Sequence, residues 1–163
     1  MLPPSLVRKF PKLKADGSRK TSDASRQYNC IAWSAERDQN RWWQPDRIEA
    51  WDHWPPGVPD DGSFGCFIAL FESLRYRSCQ SSNLEIAYEK VALYADSQSF
   101  THVASQLPSG AWSSKLGPDE DISHNSLEAL EGHEYGEVKQ ILKRGCGLTG
   151  ILARCFFKIA RLF

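Results

Sequence analysis

Tyr28-Asn29-Cys30-Ile31-Ala32-Trp33-Ser34-Ala35 reads as the opening of a short apolar helix over 29–37, with Asn29 at its N-cap. Downstream, a second helix is predicted over 62–75, where Phe64, Phe67, Ile68, Phe71 and Leu74 recur at helical spacing. Cys66 falls inside that helix and reads as a small buried hydrophobe. Strands follow at 76–80, 90–95, 101–107, 111–116 and 136–143, punctuated by Ser81-Ser82-Asn83, Pro108-Ser109-Gly110 and Gly117-Pro118. A short helix is expected over 125–131, capped by Asn125 with Glu128 three residues later. Helices first and a meander of strands after them give an α+β fold. N-terminal helices are expected to pack on one face of an antiparallel sheet of about five strands.

The flanks read differently. Residues 1–27 are rich in Pro, Lys, Arg and Ser and read as an extended surface segment. Residues 28–144 form the single domain. Residues 145–163 read as a glycine hinge followed by a basic amphipathic helix, with Arg154, Lys158 and Arg161 on one face. Residues 38–61 hold four tryptophans and several prolines in a loop, whose indoles either fill the core wall or line a groove.

Twenty basic and twenty acidic side chains cancel, so the composition gives no support to general nucleic-acid binding. The five cysteines, Cys30, Cys66, Cys79, Cys146 and Cys155, are odd in number and contain no CxxC pair. That argues against a zinc ribbon and against a disulfide framework, and for reduced thiols in the cytoplasm. No secretory leader is read at the N-terminus, and no apolar run is long enough to span a bilayer. No glycine-rich phosphate loop and no GxSxG elbow occurs, and no cofactor or metal is expected.

Cys30 carries the chemical interest. A helix start gathers unpaired N–H groups and positive dipole potential, which favour a thiolate. His102, in Thr101-His102-Val103-Ala104, heads a strand and is the preferred general base over His53, His124 and His133. If Pro108-Ser109-Gly110 closes a simple hairpin, Ser114 and Leu116 share the face of His102, so Ser114 could orient the imidazole. Asp121 or His124 folding back would serve the same end, and Gln27 or Tyr28 could help stabilise an oxyanion. Trp33, Trp42, Trp43 and Trp54 are the candidate substrate-binding residues. A metal held by Cys30, His102 and His124 has no supporting ligand spacing.

Six runs carry a family resemblance: Tyr28 to Ala35, Trp42-Trp43-Gln44-Pro45, Trp54 to Pro59, Glu89 to Ala95, Thr101 to Leu107 and Trp112 to Gly117. Over roughly Phe10 to Arg144 the chain resembles a family of small bacterial proteins known as a domain of unknown function. At longer range, the order of Cys helix, His strand and following strand resembles the papain-like and NlpC/P60 thiol hydrolases. That second resemblance implies Cys30 as nucleophile and His102 as base, without naming a substrate. The asparagine or aspartate of the papain pattern is absent, and Ser114 stands nearest to its place. Two functions are therefore expected as alternatives. One is a cysteine-dependent hydrolase or acyl-transferase acting on amide or ester bonds of an unknown protein or peptide. The other is a non-catalytic interaction module on the same fold, with residues 148–163 offering a protein or membrane-surface contact.

Overall fold

In the computed structural model, which describes residues 2–35, 54–97 and 99–160, a seven-stranded antiparallel sheet is covered on both faces. The strands are β1 (Arg19–Ser22), β2 (Arg77–Cys79), β3 (Tyr88–Asp96), β4 (Ser99–Gln106), β5 (Trp112–Lys115), β6 (Asp121–His124) and β7 (Glu137–Gly145), in spatial order β1-β6-β5-β4-β3-β7-β2. The helices are α1 (Pro4–Lys9), α2 (Leu13–Asp16), α3 (Cys30–Ala35), α4 (Phe64–Ser73) and α5 (Leu148–Ala160), with a 3-10 turn at Leu127–Leu130. The α+β class expected from the sequence is present. The sheet is wider than the expected five strands, because β1 and β6 join it.

Side-chain alternation along the central strands divides the interior in two. Val91, Leu93 and Val103 point to the face carrying α3 and α4, where they meet Ile31, Ala35, Phe67, Leu70 and Phe71. Ala92, Tyr94, Ala104, Trp112, Leu116 and Ile122 point to the other face, against Leu6, Phe10, Leu13 and Leu130. The helices are thus on both faces and not on one. The segment 1–27 supplies α1, α2 and β1 and is no surface lead-in. Leu6 of α1, Phe10 just after it and Leu13 at the start of α2 are buried within its polar composition.

Local chemistry explains the elements. Pro4 stands in the first turn of α1, where its missing N–H costs nothing. Ser63 caps α4 by accepting from the Cys66 N–H at 3.3 Å. Gly110 (φ 89°) closes the β4–β5 turn, with the Leu107 N–H donating to the Ala111 carbonyl at 2.8 Å. The cap of the turn after β6 is Ser126 and not Asn125, which instead donates its side-chain N–H to the Asp16 carbonyl at 2.6 Å.

Candidate functional site

Asn29 caps α3, its Oδ1 accepting the Ala32 N–H at 2.9 Å, so Cys30 does stand at a helix start. Its thiol is nevertheless sealed. Cys30 is 6% exposed and packs in the cluster that holds Ile31, Ala32, Val91 and Val103. Burial pushes the thiol from its ordinary 9.0 up to about 11, although the amides of Val103, Cys30 and Ile31 and the Lys115 ammonium pull the other way. A helix start is worth about 0.3–1 kcal/mol toward the anion. The net shift here is about 3 kcal/mol against it. Desolvation therefore wins.

His102 lies opposite Tyr94 on β3, and Ser114 lies opposite Ile122 on β6. Both side chains belong to the face of Tyr94, Ala104 and Ile122. There they form a buried chain with His124, whose donor directions can be worked out. His124 Nδ1 is 2.7 Å from the Ser126 carbonyl, which can only accept, so this nitrogen carries the proton. Burial holds His124 below its ordinary 6.5, against the opposing pull of the Ser126 carbonyl and Asp16, so the ring is neutral at pH 7 and its Nε2 is bare. The Ser114 hydroxyl donates to that Nε2 at 2.9 Å, and its oxygen accepts from the His102 Nε2–H at 2.9 Å. His102 Nδ1 is left as a lone-pair nitrogen, buried and without a hydrogen-bond partner. Burial, with His124 adding to it, drives His102 well below the usual histidine range. Its ring stacks on Tyr135 at 4.3 Å with the planes 3° apart.

The structure thus brings together His102, Ser114 and His124, and separates all three from Cys30. Val103 contacts the α3 side, and its neighbour His102 points to the opposite face of the same strand. The expected thiol–imidazole pair does not form. The hairpin arithmetic that puts Ser114 beside His102 agrees with the register. The order of elements along the chain does not fix which face of the sheet α3 covers, and so does not fix whether Cys30 meets His102.

The other candidate residues have structural partners. Asp121 does not fold back onto His102. It accepts from the Tyr28 hydroxyl and from Ser22 Oγ at 2.6 Å, and lies 3.6 Å from the buried Lys115 ammonium. Burial draws Lys115 below the ordinary lysine range, with Asp121 opposing. Tyr28 is therefore engaged away from any oxyanion, and Gln27 is exposed. Trp33 donates its Nε1–H to Ser113 Oγ at 3.0 Å and stacks on Tyr28. Trp54 donates to the Val58 carbonyl at 3.2 Å and meets Phe67 edge-on, as part of the core wall. Trp42, Trp43 and His53 lie outside the described residues. His133 is exposed. Among the described residues no group of three or more His, Cys, Asp or Glu could hold a metal ion.

Sequence reading passed over Tyr135 and Lys115. Tyr135 had no pattern to mark it. Lys115 sits at a strand position whose inward direction is set by Trp112 and Leu116 pointing the other way.

Helix α5 follows β7 and presents Leu148, Leu152 and Phe156 at 73%, 61% and 69% exposure, four residues apart along one stripe. Arg154, expected to share a basic face with Lys158 and Arg161, is turned inward and buried. No helix among the described residues is long and apolar enough to cross a membrane.

A family model described as a domain of unknown function (DUF7689) matches residues 19–143. No curated protein and no solved structure matches the chain.

Proposed function

Because the chain belongs to the DUF7689 family, whose description names no activity, we propose from its own residues that it is a protein-interaction module whose contact surface is α5. The observation that carries this reading is the exposed stripe Leu148, Leu152 and Phe156, since three large apolar side chains in line on a helix are the pattern by which a helix seats in an apolar groove. The occupant is a partner protein with an acidic rim around that groove. Lys139, Lys143 and Arg144 on β7 are matched by Glu137, Glu85 and Glu89, but from Gly145 onward the sequence carries Arg154, Lys158 and Arg161 and no acidic residue, and with Arg154 buried the net positive charge of this segment favours an acidic counterpart. The stripe lies outside the matched residues 19–143.

The thiol hydrolase reading, with its papain-like arrangement, asks for an ionisable Cys30 beside His102. The sealed thiol and the opposite strand faces weigh against it. A photo-crosslinking amino acid at Leu148 of the full chain, expressed in its own cells, tests the proposal. A discrete protein adduct is expected, lost when Leu152→Glu is added and retained in Cys30→Ser. A lipid adduct, a crosslinked homodimer or no adduct rejects it.

A further inference from the structure

The inner side of α5 closes a cleft of about 380 Å³ against β3, β4 and the end of α3, a volume suited to a small molecule. Arg154 lines it and is 3% exposed, yet among the described residues it makes no hydrogen bond and no ion pair, and its Nε is buried without a partner. A guanidinium cannot shed its proton, so it stays charged there. Natural proteins match buried charges with a counter-charge, and an unmatched one is costly.

The other charges in the cleft are already matched. Arg144 bonds Glu89 Oε2 through Nε at 3.3 Å and Nη2 at 3.2 Å, and spends Nη1 on the Leu74 carbonyl. Lys90, also in the lining, lies 2.6 Å from Glu85, which Lys143 shares, and donates to the carbonyls of Ser81 and Asn83, so Arg154 is the lining cation left without a partner among the described residues. Ser34, Ser105 and Thr149 add hydroxyls to its lining.

We propose that this cleft binds a small carboxylate ligand, with Arg154 as the group that receives the carboxylate. A planar guanidinium takes a carboxylate through two parallel N–H···O bonds. The one unpartnered guanidinium is balanced by a monoanion. A phosphate dianion would bring a second negative charge toward Glu89. The hydroxyls then hold the polar remainder of the ligand. This inference rests on the inner face of α5 and is independent of the role of its outer stripe.

Thermal unfolding of the full chain with N-acetylglycinate as probe tests it, with N-acetylglycinamide and inorganic phosphate as comparison arms. N-acetylglycinate is expected to raise Tm saturably, with a millimolar Kd, while the uncharged amide does not. Arg154→Met should abolish that response and leave the ligand-free Tm equal to or above that of the unsubstituted chain, because it removes an unmatched buried charge. Four results would overturn the proposal: no saturable response to N-acetylglycinate, an equal response to the amide, an equal response in Arg154→Met, or a lower ligand-free Tm in Arg154→Met. Tighter binding of phosphate would overturn the carboxylate assignment.

Discussion

At the scale of single residues, environment overrides identity. Cys30 has the helix-start position that elsewhere makes a nucleophile, and its surroundings cancel it. With its thiol near 11, about one molecule in ten thousand is a thiolate at pH 7. Iodoacetamide is therefore expected to modify the partly exposed Cys79, Cys146 and Cys155 well before Cys30 and Cys66, read by peptide mass spectrometry. First labelling at Cys30 would restore the thiolate. The histidines give a second expectation. His102 and His124 are held below 6.5 in the native state, so as pH falls through 6.5 the unfolded chain takes up protons that the native chain refuses. Stability should be full above that pH and fall below it, by up to about 1.4 kcal/mol per pH unit for each histidine. Urea unfolding between pH 7 and pH 5 measures this slope, and His102→Phe, which keeps the stack on Tyr135, should reduce it. The neighbourhood of His102 and Ser114 was legible because a short turn fixes the register of the strands it joins. The distance of Cys30 was not legible, because a helix can cover either face of a sheet without changing its own sequence.

At the scale of elements, the largest surprise is the N-terminal segment. Its buried residues are few and dispersed among charges, so composition hid the three anchors Leu6, Phe10 and Leu13, which come from α1, the turn after it and the start of α2. Asp16 does much of the fastening. Its carboxylate accepts from Ser18 Oγ, the Asn125 N–H, and both the N–H and Oγ of Ser126. Burial alone would raise its pKa, but these hydrogen bonds outweigh that and lower it. Asp16→Ala should cost about 2 kcal/mol in chemical denaturation, since hydrogen bonds to a charged group are the stronger kind. An effect near zero would mean that α2 is held by Leu13 alone. Strand β6 was missed for a related reason. Asp121-Ile122-Ser123-His124 has a single apolar residue, and what buries it is the polar network around Asp121 and His124 rather than a hydrophobic pattern. Both α4 and the β4–β5 hairpin were plain in the sequence, one from helical periodicity and the other from its turn residues.

At the scale of the molecule, one sheet serves two cores. The α3–α4 core and the α1–α2 core share the backbone of β3 and β4, so neither can come apart without exposing the back of the other. The described fold is expected to lose both in one cooperative transition, with tryptophan fluorescence and far-UV circular dichroism giving coincident curves. Separate midpoints would show that the two layers melt independently. The sequence shows the layers poorly because alternation tells which residues are inward without telling which helix waits on each side.

The seat of β1 beside β6 has a consequence for biosynthesis. Ser22 must wait for Asp121, 99 positions later, before it can dock. At ordinary ribosomal speeds of about 5–20 residues per second, that wait lasts on the order of 5–20 s. During it, Leu6, Phe10 and Leu13 are newly made hydrocarbon with nowhere to go, and they are the natural place for a chaperone to hold the nascent chain.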